Sequence, residues 1–183
     1  MKRLYFYIIV AGCMVMTGSC VEKNPEVNTS SKDSVQMSSA VPDTVNIPSL
    51  VTEKESGKLM LTAENGKPLG PEIKYMPEWK AFGWFTAADS VEWEVEVANP
   101  GKYNVQLEWS VSDEEAGKEF ILIADGNTLT GKVDKSGSWE TFKSKDVGTI
   151  NLAKGRQKII FRSNTKFKEG AILDLRQITL SRQ

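Results

Sequence analysis

Val91-Glu92-Trp93-Glu94-Val95-Glu96-Val97, then Asn99-Pro100-Gly101, then Tyr103-Asn104-Val105-Gln106-Leu107-Glu108-Trp109-Ser110 is the stretch from which the rest of the chain can be read. In both runs apolar and polar residues alternate with a period of two, the spacing of a β-strand. Each strand then has one apolar and one polar face, as a half-buried antiparallel sheet requires. The Asn-Pro-Gly between them reads as a turn, so the two runs are expected to form a hairpin. Trp93 and Trp109 share the phase of Val and Leu and are expected in the core. Glu92, Glu94 and Glu96 line the opposite, solvated face. Residues two apart on a strand lie about 6.6–6.8 Å apart, near the carboxyl separation of about 6.5–9.5 Å in inverting glycosidases. Every alternating acidic strand has that spacing, so it is no catalytic signature.

Working outward, Leu59 and Leu61 open a strand that ends near Glu64-Asn65-Gly66. Phe120 to Ala124 is a short apolar strand, and Asp125-Gly126-Asn127 a tight turn into Thr128 to Val133. Trp139 to Lys143, Thr149 to Leu152, Lys158 to Arg162 and Ala171 to Leu180 follow, with Lys154-Gly155 as a turn. No segment sustains a 3.6-residue period. Many short strands at intervals of about 8–12 residues indicate an all-β fold, an antiparallel β-sandwich of jelly-roll type. Trp79, Phe82, Trp84 and Phe85 form a dense aromatic connection, readable either as a ligand platform or as a core plug.

The N-terminus has a different texture. Lys2 and Arg3 precede an apolar run from Leu4 to Val15, and Thr17-Gly18-Ser19-Cys20 leads into polar sequence. Residues 1–19 therefore read as a signal peptide; the run is shorter than the roughly 20 residues of a spanning helix. The small-small-Cys ending resembles the lipobox of bacterial lipoproteins, in which the Cys takes the lipid (palmitate among its acyl chains) and becomes the first mature residue. Val10-Ala11-Gly12-Cys13 also fits, but cutting there leaves Met14-Val15-Met16 at the mature start, so Cys20 is chosen. Residues 20–57 then form a lipidated Cys and a disordered tether. The stretch has no aromatic residue and is interrupted by Pro25, Pro42 and Pro48. So polar a segment cannot repay the entropy of ordering. Residues 58–183 are the sandwich domain.

The whole chain has 183 residues, 23 Lys+Arg, 24 Asp+Glu, two Cys and no His. Without His there is no Ser-His or Cys-His pair, and two Cys build neither a zinc cluster nor a disulfide framework. A near-zero net charge argues against nucleic acid, which needs a concentrated cationic face.

Four segments of residues 58–182 resemble the β-sandwich carbohydrate-binding modules of family 6 and their relatives, domains also found at the C-termini of bacterial sulfatases and fucosidases. They are Leu61-Thr62-Ala63-Glu64; Asp89 to Val95 running through Asn99-Pro100-Gly101 to Tyr103; Ser136-Gly137-Ser138-Trp139; and Leu152-Ala153-Lys154-Gly155 with Ile159 and Leu173-Asp174-Leu175. The resemblance implies a sugar site in the loops at one end of the sandwich. Aromatic rings would cover apolar sugar faces and polar groups would take the hydroxyls. It places Trp139 and Trp84 as stacking residues, with Asn164 and Glu78 as hydrogen-bonding partners. The family's usual Asn, two residues before the Asp of the last strand, is Ile172 here. The resemblance also implies a structural calcium held by Glu64 and Asp174; calcium takes six to eight oxygens.

The expected protein is a lipid-anchored cell-envelope lipoprotein, at the outer membrane or cell surface, displaying a non-catalytic module that binds a polysaccharide or glycan. The alternative is an envelope scaffold docking a partner enzyme, which the apolar Ile172 favours. A glycoside-processing hydrolase ranks last. Lys143, Lys145, Lys166 and Lys168 read as surface charge or as contacts for an anionic glycan.

Overall fold

Alternation over residues 91–97 and 103–109 does produce strands, and the structure shows how they are used. A computed structural model describes residues 46–183. The signal segment, Cys20 and the tether as far as residue 45 lie outside the described residues. Among the described residues there is no helix. The strands are β1 (Val51–Thr52), β2 (Lys58–Thr62), β3 (Lys67–Leu69), β4 (Lys74–Met76), β5 (Ala81–Gly83), β6 (Ser90–Val97), β7 (Gly101–Ser110), β8 (Glu119–Ala124), β9 (Asn127–Lys132), β10 (Lys143–Leu152), β11 (Gly155–Ser163) and β12 (Asp174–Arg182). The first sheet runs β1-β6-β11-β8-β9, with β3 also on β6; the second runs β10-β7-β12-β5-β4, with β2 also on β12. The pairing of β1 with β6 is parallel; the other strand pairs are antiparallel. The fold is the expected all-β sandwich.

The expected hairpin is corrected. β6 pairs with β11, β3 and β1, whereas β7 pairs with β10 and β12. The two alternating runs belong to different sheets, and their apolar faces share one core. Alternation specifies one buried face per strand but not which sheet the strand joins. The crossing is fixed at its corner: Gly101 takes φ 148°, and the buried Tyr103 hydroxyl donates to Asn99 O at 2.5 Å.

Two further readings change. Residues 139–142 are turn and loop rather than strand, and β10 runs unbroken from Lys143 to Leu152 with a register shift between Asp146 and Gly148. The Ser136 hydroxyl explains the first change. It accepts from Val111 N at 2.8 Å and sits 2.9 Å from Val111 O, which ties the preceding turn to the end of β7. The domain also begins earlier than residue 58. The Asn46 side-chain amide lies 2.6–3.2 Å from the carbonyls of Ala63, Glu64 and Gly66. Val51 is buried and pairs with Val95. Glu53 accepts from the backbone of Ala98 and Asn99 and from the Asn99 amide at 2.9–3.3 Å, and its other oxygen lies 3.2 Å from the Tyr103 hydroxyl. Side-chain caps, more than apolar period, secure this segment, so hydropathy did not reveal it.

The core holds Trp93, Trp109, Tyr103, Phe82, Phe85, Phe120 and Phe161, all essentially inaccessible. Full burial of a Phe side chain contributes roughly 1.5–3 kcal/mol. Each buried indole also satisfies its N–H: Trp93 donates to Thr62 O and Trp109 to Asp134 O, both at 2.9 Å. Phe161 stacks on Phe120 at 5.4 Å and meets Phe85 edge-on at 5.8 Å. Glu92 and Glu94 point outward and pair with Lys158 and Arg156 of β11.

Candidate functional site

The end of the sandwich where β7 finishes and β12 begins gathers the connections after β5, β7, β9 and β11. Asp174 opens β12 opposite Ser110 of β7, and Ile172 N donates to Phe85 O at 2.7 Å. Lys118 secures the loops behind. Its ammonium donates to Ala171 O at 3.0 Å, pairs with the Glu115 carboxylate and lies 4.8 Å from the centroid of Phe167.

Trp84 sits at this end because of its backbone. Phe82 and Phe85 on either side point into the core and are fully buried. Trp84 takes φ +53°, the left-handed region that a bulky residue rarely adopts. That twist leaves its ring half-buried, with the Lys74 ammonium 5.5 Å from the ring centroid. The aromatic connection is thus divided: Phe82 and Phe85 plug the core, whereas Trp79 and Trp84 stay half-exposed.

Trp139 follows the Ser136-Gly137-Ser138 turn and is also half-buried. Its carbonyl accepts from the Ser110 hydroxyl at 2.7 Å, while its side chain packs against the core cluster. Asn164 follows the last residue of β11 and is exposed. Its N–H donates to Glu119 O at 2.8 Å, and its amide lies 3.4 Å from the Glu119 carboxylate. Trp84, Trp139 and Asn164 therefore all occupy this end. Glu78 does not: it is exposed in the β4–β5 turn, beside Trp79, whose carbonyl receives Arg176 Nε at 3.1 Å. Ile172, at the position where the family carries a polar group, is fully buried.

Glu64 and Asp174 are the two side chains that the resemblance assigns to calcium. The Lys80 ammonium lies 3.2 Å from the Glu64 carboxylate, an exposed ion pair. Asp174 is buried beside Gly83. Among the described residues no three or more Asp, Glu, His or Cys side chains come together as a metal shell. Calcium takes six to eight oxygens, backbone carbonyls among them, so side chains of the described residues alone do not complete such a shell.

One cluster escaped the sequence reading. Phe142, just before β10, stacks with Trp79 at 6.1 Å, and the Arg176 guanidinium lies 3.4 Å from the Phe142 centroid. Arg176 is held by Glu108 at 2.9 Å. It occupies the register shift in β12 between Leu175 and Gln177, which turns it onto the polar face of the second sheet. The partners lie far apart along the chain, so no local pattern announced them. They read as a clasp for the β4–β5 turn, as arginine over an aromatic face is stabilising in itself.

The architecture is the β-sandwich of carbohydrate-binding modules. A family 35 carbohydrate binding module from Clostridium thermocellum superposes with a TM-score of 0.57 at 14% identity, over 69% of this chain and 98% of that one. The C-terminal CBM6 of LamC, a marine laminarinase from Zobellia galactanivorans, gives 0.56 at 14% identity, over 68% and 99%. The exo-β-1,3-galactanase of Phanerochaete chrysosporium gives 0.55 at 22% identity, and there the match spans 68% of this chain but 29% of the enzyme. No protein-family model matches the chain, and no curated protein does.

Proposed function

We propose that this protein is a non-catalytic glycan-binding module carried on a cell-envelope lipoprotein, anchored through Cys20. The observation that carries the reading is Trp84: a bulky residue held at φ +53° with its indole half-exposed between two buried phenylalanines. Backbone strain of this kind costs of order 1–3 kcal/mol and recurs at ligand clamps. Trp84 and Trp139 would offer flat apolar surfaces to sugar C–H faces, and Asn164 would take hydroxyls at the same end. The full-length match to isolated binding modules supports a binding rather than a catalytic role. So does the pairing of Glu92 with Lys158 and of Glu94 with Arg156, which leaves these carboxylates engaged by cations.

A glycan array with the mature protein tests this, followed by titration of any hit while tryptophan fluorescence is read. Binding that Trp84→Ala abolishes, with the melting temperature unchanged, supports the reading. The envelope-scaffold alternative has one observation in its favour: buried Ile172 provides no polar group at the end loops. An array with no hits, together with co-purification of a partner enzyme from membranes, would favour it.

A further inference from the structure

Lys118 precedes β8, and its backbone is fixed to the end of β9: Gly117 N donates to Val133 O at 2.8 Å and Val133 N to Lys118 O at 2.9 Å. Its side chain is only 16% exposed. The ammonium reaches two loops at once. In the β7–β8 loop it lies 3.2 Å from Glu115 O and pairs with the Glu115 carboxylate. In the β11–β12 loop it donates to Ala171 O at 3.0 Å and lies over the Phe167 ring. Three acceptors thus meet the three N–H groups of an ammonium. Gly170 belongs to the same fit. It takes φ +84°, and a Cβ there would collide with the Glu115 carboxylate.

Each of these loops leads on to one of the half-buried indoles. After Ala171, Ile172 donates its N–H to Phe85 O at 2.7 Å. Phe85 follows Trp84, whose φ of +53° persists only with support from its surroundings. On the far side, Thr86 is held separately, its N–H donating to the buried Asp89 carboxylate at 2.8 Å. From the other loop, Glu115 N donates to Ser112 O at 3.1 Å, and Ser112 forms a β-bridge with Gly137. In that turn the Ser136 hydroxyl lies 3.1 Å from Ser138 O, one residue before Trp139. Lys118 therefore joins the loop that supports Trp84 to the loop that supports Trp139.

We infer that Lys118 is a positioning residue for the end-loop site: its ammonium, clamped between Glu115 and Ala171, sets the separation of the Trp84 and Trp139 rings. Two stacking surfaces serve one ligand only while supporting contacts hold them to within about 0.5 Å of the required geometry. An ion pair as covered as this one is little screened by solvent, so breaking it costs more than breaking an exposed pair. The purpose of the clamp rests on the glycan-binding reading above; its geometry does not.

The 15N-labelled mature protein tests this without any ligand, through the indole N–H signals of its five tryptophans, assigned with single Trp→Phe variants. Lys118→Met keeps an apolar stem beside Phe167. It should displace the Trp84 and Trp139 signals and leave in place that of Trp93, which is buried and donates to Thr62 O. Gly170→Ala disturbs the same contact from the facing loop and should displace the same two signals; it carries the test if Lys118→Met does not fold. Lys166→Met, which removes an exposed lysine of that loop, should displace neither. On any polysaccharide that retains wild type, Lys118→Met should bind about two- to thirtyfold more weakly. If wild type binds none, the glycan reading fails and the indole signals alone judge the clamp. A Trp84 or Trp139 signal unmoved in both clamp variants would overturn it. So would a Trp93 displacement as large as theirs, an equal effect of Lys166→Met, or unchanged affinity in Lys118→Met.

Discussion

At the scale of single residues, the Tyr103 corner is the most exacting arrangement. Burial, reinforced by the Glu53 carboxylate, pushes the phenol up to about 12. Burial also pushes Glu53 up, but its hydrogen bonds from Asn99, Tyr103 and Ala98 outweigh it and leave the carboxyl below its ordinary value. The signs follow. A raised phenol pKa contributes stability that is complete below pH 10 and is lost as pH rises towards about 12. A lowered carboxyl pKa contributes stability present above about 4.5 and lost in acid. Tyr103→Phe should cost about 1 kcal/mol at neutral pH and flatten the alkaline limb of the stability curve, as chemical denaturation from pH 7 to 11.5 would show. An alkaline limb as steep as wild type's would contradict this role for the hydroxyl. Trp84 illustrates what a sequence cannot display at this scale. Its residue type suggested a ring for stacking, but the φ that turns it outward between Phe82 and Phe85 is a property of the folded loop.

At the scale of elements, Gly131 of β9 stands directly opposite Phe120 of β8. A Cβ there would lie 2.5 Å from Phe120 Cζ, and that ring stacks on Phe161. Gly131→Ala should therefore cost about 1–3 kcal/mol through overpacking, read from the urea midpoint. The N-terminal segment makes a second prediction. A chain starting at Asn46 should match the stability of the mature protein. One starting at Lys58 loses buried Val51, the Asn46 amide bonds and the Glu53 caps, and should be about 3–5 kcal/mol less stable. Equal midpoints would show that residues 46–57 are a tether after all. The long alternating strands were readable from residues alone, because period two and a run of several residues leave little choice. β3, β4 and β5 were missed because each has three residues, too few to establish a period. The pairing of β6 and β7 with different sheets was missed because Asn99-Pro100-Gly101 suits a hairpin and a crossing equally.

At the scale of the whole molecule, the four matched segments and the neighbours of known structure agree on the sandwich, and the end loops hold three of the four residues expected to meet a sugar. Glu78 went elsewhere because it belongs to a turn that folds over the second sheet at Arg176. Two outcomes follow for the intact protein. Chelation with EDTA bears on the calcium expected at Glu64 and Asp174: a fall of several degrees in the melting temperature would support it, and an unchanged melting temperature would count against it. Cys20→Ala should move the protein from the membrane fraction to the soluble one, and continued membrane retention would contradict the lipid anchor. The most direct measurement of the central claim is a depletion assay on insoluble polysaccharides, with wild type and Trp84→Ala side by side at matched folding. Retention of wild type on at least one neutral polysaccharide, lost in Trp84→Ala, is the predicted result; no retention on any, or retention indifferent to that indole, would contradict it.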